Sequence, residues 1–81
     1  MDAALEEELV DLMSYCLQNP GAEVHDEERR ITEIGRALHE DGGTDAMDMV
    51  YHAVRSRLLG EIEKDVDVLA PLWNGIGEWK R

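Results

Sequence analysis

The spacing of the apolar residues restricts this chain most, because it recurs at steps of three and four along most of the sequence. Met47, Val50, Tyr51, Val54, Leu58, Ile62, Val66 and Leu69 hold that rhythm longest. A period near 3.6 places them in one stripe along an α-helix, whereas a half-buried strand would need strict alternation. The stripe predicts a helix over 45–70. Thr44 is its expected N-cap, Asp45 and Asp48 lie near the positive end of its dipole, and Pro71 stops it. Gly60 is expected to bend it.

Two earlier segments carry the same signal. Leu5, Leu9, Leu12 and Cys16 fall at steps of 4, 3 and 4, with Met13 and Leu17 widening the stripe. This predicts a helix over 3–18, capped by Asp2 and ended by Asn19-Pro20-Gly21. Val24, Ile31, Ile34, Gly35 and Leu38 mark the buried face of a second helix over 24–41. Asp26-Glu27-Glu28 forms its acidic first turn, and Gly42-Gly43 supplies its C-terminal stop. Gly35 within the apolar face costs about 1 kcal/mol relative to alanine. A close approach by another helix would explain it.

The expected architecture is therefore all-α, a small three-helix bundle forming one domain over 1–81. Its lengths are uneven. At 1.5 Å per residue the third helix would span about 37 Å and the first about 24 Å, so the far end of the third needs a cover. Leu69, Leu72, Trp73, Ile76 and Trp79 offer one, as a short helical or irregular segment over 72–80. Gly75 and Gly77 between the tryptophans favour close backbone approach or sharp turns. Trp73 and Trp79 are either lids on the core or half of an interface, where tryptophan is enriched.

Charge separates the function classes. Net charge is −11, and nine acids with no Lys or Arg occupy residues 1–28. Residues 29–81 hold ten acids and eight bases, so −9 and −2 make up the total. Such a surface repels phosphate backbones and anionic lipid heads, which argues against nucleic-acid binding and membrane docking. The N-terminus is acidic where a targeting peptide would be basic, and no apolar run is long enough to span a bilayer. These features lead to the expectation of a cytoplasmic protein. A single cysteine, Cys16, rules out an intramolecular disulfide and any zinc set built on cysteines.

The sequence offers little chemistry. His25, His39 and His52 are the natural places to seek a metal site, and Asp48 and His52 stand four apart. Neither Glu-x-x-His nor His-Glu-x-x-His occurs. Asp41–Asp48 resembles a calcium loop only faintly, since Ala46 stands where glycine is required and His52 where glutamate is. Ser14, Cys16 and Ser56 lie mid-helix without a turn that would present a nucleophile. Gly42-Gly43-Thr44 lacks the lysine of a phosphate loop. No catalytic residue, metal ligand or cofactor is assigned.

The expected function is a non-enzymatic interaction or regulatory module that meets a protein partner, one with a basic surface, through complementary charge. The candidate surface comprises Glu6, Glu7, Glu8, Asp11, Glu27 and Glu28, with Trp73 and Trp79. The alternatives are a structural homodimer or small subunit of a larger complex, and an acidic inhibitor that mimics DNA.

Overall fold

In a computed structural model of the chain, residues 3–79 are described. They form two long helical elements, α1 (Ala3–Gln18) and α2 (His25–Ile62), followed by short 3-10 turns at Val66–Val68 and Ala70–Trp73. No strand occurs among the described residues. The expected cap Asp2, and Lys80 at the end of the expected tail segment, lie outside them.

Helix α1 has the predicted limits and buries Leu9, Val10, Met13 and Cys16. Its carbonyls run out of partners where Pro20 ends the helix. Asn19 answers this by donating from Nδ2 to the Tyr15 carbonyl at 2.9 Å. The backbone then turns, with Ala22 N–H donating to the Asn19 carbonyl at 3.0 Å.

The expected division into two helices falls at a kink inside α2. Its 38 residues run from His25 to Ile62 as one element, with a single non-helical residue inside at Gly43. A straight helix of that length would reach about 57 Å, but the longest dimension of the molecule is 32 Å. The chain must therefore fold back inside α2. Gly43 adopts φ 71°, ψ −164°, a region essentially closed to residues with a Cβ. The limb over 25–42 buries Ile31, Ile34 and Leu38, and the limb over 44–62 buries Met47, Val50, Tyr51, Val54 and Leu58 in the same cluster. Burial of that apolar surface is the main stabilising term.

The predicted end at residue 70 is corrected, since α2 stops at Ile62. Glu63 takes a left-handed conformation (φ 56°, ψ 33°), and the apolar stripe continues by other means. Leu69 N–H donates to the Val66 carbonyl, Leu72 to Leu69, Asn74 to Pro71, Ile76 to Trp73 and Trp79 to Ile76, at 2.8–3.1 Å. This is a succession of tight turns, each closing over three residues. A period of three keeps Val66, Leu69 and Leu72 on one side as well as an α-helix would. No helix among the described residues is long and apolar enough to cross a membrane.

Candidate interaction surface

The tail after α2 carries both tryptophans inward. Trp73 is 1% exposed and Trp79 3% exposed. The indole Nε1 of Trp73 donates to the Ile31 carbonyl at 2.8 Å, which satisfies the polar group that the ring takes into the core. It can approach that closely because Gly35 stands on the same stretch of α2. A Cβ at Gly35 would lie 2.5 Å from Trp73 Nε1 and 2.7 Å from Cδ1. The close approach that Gly35 permits is thus made by an indole, not by another helix. Trp73 and Trp79 meet edge to face at 5.1 Å, and Tyr51 stands 5.3 Å from Trp79 and 6.3 Å from Trp73. Gly77, at φ +57°, sits against His39, where any side chain would run into the imidazole. Of the two roles open to the tryptophans, the chain uses them as a lid. Among the candidate surface residues, Trp73 and Trp79 are thus the two that lie buried within the chain.

Polar ties from both limbs of α2 fix the start of that tail. Arg55 forks onto Asp65, Nε to Oδ1 at 3.1 Å and one terminal nitrogen to Oδ2 at 3.0 Å. The same carboxylate caps the first 3-10 turn by accepting from Asp67 N–H at 3.0 Å. The Tyr51 hydroxyl donates to Asp67. From the other limb, Thr32 Oγ1 donates to the Leu72 carbonyl at 3.2 Å. Sequence reasoning missed Thr32, Arg55, Asp65 and Asp67. The one available signal was Asp65 ahead of Val66, a cap residue before an apolar one, which the uninterrupted stripe concealed.

The acids of the candidate surface divide into two sets. Glu8 and Glu7 tie α1 to the two limbs of α2. Arg30 donates to Glu8 through Nε at 2.5 Å and a terminal nitrogen at 2.8 Å, and Arg57 donates to Glu7 at 2.7 Å and to Glu61 at 3.2 Å. The hydrogen bond from Arg30 holds the Glu8 carboxyl below the usual glutamate range. Its bonds to Glu7 and then Glu61 hold the Arg57 guanidinium above its usual range. Glu6, Asp11, Glu27 and Glu28 form the second set, and among the described residues no ion pair engages them. The acidic surface is therefore narrower than a count of charges implies.

No group of three or more His, Cys, Asp or Glu among the described residues could hold a metal ion. Cys16 is buried, and that burial, together with the nearby Glu28 and Glu27 carboxylates, pushes its thiol pKa up. This is the opposite of the environment that makes a cysteine nucleophilic. Beside it lies a cavity of about 380 Å³ lined by Cys16, Leu17, Pro20, Lys64, Asp65, Val68 and Leu69. Comparison of the chain with protein-family models, with curated proteins and with solved structures finds no match.

Proposed function

We propose that this protein is a non-enzymatic interaction or regulatory module that recognises a basic protein surface through the acids its own fold leaves unpaired. The observation that carries this reading is the division between Glu7 and Glu8, which close ion pairs within the chain, and Glu6, Asp11, Glu27 and Glu28, which form none among the described residues. Carboxylates that close no ion pair within the described residues keep their charge available for a partner, and complementary fields steer association and choose partners. In this reading the molecule works as a three-helix bundle, α1 and the two limbs of α2, closed by the tryptophan tail, and its place of work is the cytoplasm.

The test is capture of partners from source lysate by the tagged protein at low and moderate salt. The reading expects partners with basic surfaces whose recovery falls steeply as salt rises. Recovery only of salt-insensitive partners would remove it in favour of an apolar interface. A homodimer is the structural alternative, favoured by the exposed apolar side chains Met49 and Leu59 on the second limb of α2. Light scattering at high concentration distinguishes it. A DNA-mimicking inhibitor is the remaining alternative and predicts that DNA displaces the captured partner.

A further inference from the structure

We propose that the hollow between the end of α1 and residues 64–69 binds an apolar monoanion, a medium-chain carboxylate whose alkyl chain fills the hollow and whose head group meets Lys64. The proposal goes beyond the basic-partner reading, which rests on acids that do not line this hollow. Two helix ends create it. Pro20 stops α1 and the left-handed Glu63 ends α2, so that residues 64–69 come to lie beside Cys16 and Leu17. The floor is apolar, since Cys16 and Leu69 are nearly inaccessible and Leu17 packs against the core. Pro20 and Val68, the latter 73% exposed, form the rim. Each wall is held from behind, Asn19 by the Tyr15 carbonyl on one side and Asp65 by Arg55 on the other. A largely preformed apolar hollow with few polar groups is the usual form of a small-molecule site. A water-sized group takes about 30 Å³. A cavity of about 380 Å³ therefore has room for on the order of a dozen heavy atoms, the size of decanoate.

Charge selects the occupant. Of the two charged residues in the lining, Asp65 is neutralised by the Arg55 fork. Lys64 forms no ion pair among the described residues. One free ammonium beside apolar walls suits a ligand with one negative charge and an apolar body. A dianion such as phosphate would leave a charge unmet on a chain of net charge −11, and a cation would face the ammonium. Glu28 and Glu27 act on the Cys16 thiol without lining the hollow. They orient the ligand, with its alkyl chain towards Cys16 and its carboxylate at Lys64. At about 0.15 M salt the screening length is about 8 Å, so distant acids repel the ligand little while a direct contact with Lys64 persists.

The intact, isotope-labelled chain would be titrated at that salt with decanoate, decanol and decyltrimethylammonium while its amide resonances are followed. Decanoate is expected to shift the amides of Cys16, Leu17, Lys64 and Leu69 saturably and to leave the Trp73 indole resonance in place. It should bind about threefold tighter than decanol, the worth of one exposed charge contact. Lys64→Gln, at an exposed position, should remove that preference. Val68→Ser should weaken both ligands roughly fourfold through lost apolar contact. The spectra themselves show whether each variant is folded, and the comparison of ligands on the parent needs no variant. No saturable shift at these amides with any of the three probes would overturn the site. Equal binding of decanol and decanoate by the parent, or a preference that survives Lys64→Gln, would overturn the anion as its ligand. Tighter binding of decyltrimethylammonium would overturn the proposal in favour of a cation held by the outlying acids.

Discussion

The Trp73 indole lies so close to the backbone at Gly35 that a single added carbon there would collide with the ring. The two residues are far apart in sequence, and their contact sets how the tail closes over α2. Gly35→Ala gives α2 a better helix former, an advantage of about 1 kcal/mol, and still should destabilise the protein. The indole must move away from the Ile31 carbonyl and from its edge-to-face partner Trp79. Overpacking of this kind costs about 1–3 kcal/mol, so the expected net loss is at most about 2 kcal/mol. It would be measured by denaturant unfolding, with tryptophan emission of the folded variant shifted to the red.

Two other glycines should respond in opposite directions. Gly43→Ala forces a Cβ into φ 71°, ψ −164°, and should cost about 1–3 kcal/mol or move the fold-back point of α2. Gly60 lies in the last turns of α2 with open space where a Cβ would stand. Gly60→Ala should stabilise by about 0.5–1 kcal/mol. Thermal unfolding of the two variants beside the parent checks the contrast.

The Glu8–Arg30 pair predicts a pH dependence. Arg30 depresses the folded pKa of Glu8 below its unfolded value. The stability from the pair is therefore fully present above the unfolded pKa and is lost as pH falls through the folded pKa. Glu8→Gln should melt below the parent at neutral pH, and the gap should close as acid protonates Glu8. Both side chains are partly exposed, so added salt should narrow the gap as well. Melting curves at several pH values and two salt concentrations test this. A gap that widens in acid would contradict the assignment.

Cys16 should behave as a buried apolar group. Its raised pKa leaves the thiol protonated at neutral pH, and the side chain is only 8% exposed. Its reaction with a disulfide reagent should be much slower than that of a free thiol and should reach the free rate only in denaturant. Spectrophotometric thiol titration in the two conditions decides this.

The sequence carried α1 almost completely, because its periodicity and Pro20 are local signals that nothing in the tertiary structure overrides. It also located the break at Gly43, since only glycine is at ease in that backbone region. The end of α2 was not legible. Apolar steps of three and four fit an α-helix and a run of 3-10 turns alike, and the outcome rests on contacts that Tyr51 and Arg55 make with Asp67 and Asp65. The role of Gly35 was hidden for a similar reason, since the ring it accommodates arrives from the far end of the chain. For the candidate surface, residue counts revealed an acidic N-terminal third but not its pairing. Glu7 and Glu8 look like Glu6 in the sequence, and only Arg57 and Arg30 distinguish them.

The central claim is that unpaired acids, not the tryptophans, meet the partner. The most direct test compares partner capture at low salt by three proteins, the parent, a variant with Glu6→Gln, Asp11→Asn, Glu27→Gln and Glu28→Gln, and Trp79→Phe. Each would first be shown to be folded by circular dichroism. The account predicts that the four neutralising changes abolish capture, because they remove charge that no ion pair among the described residues engages, while Trp79→Phe retains it. Full capture by the neutralised variant, with loss on Trp79→Phe, would contradict it and move the interface to the tail.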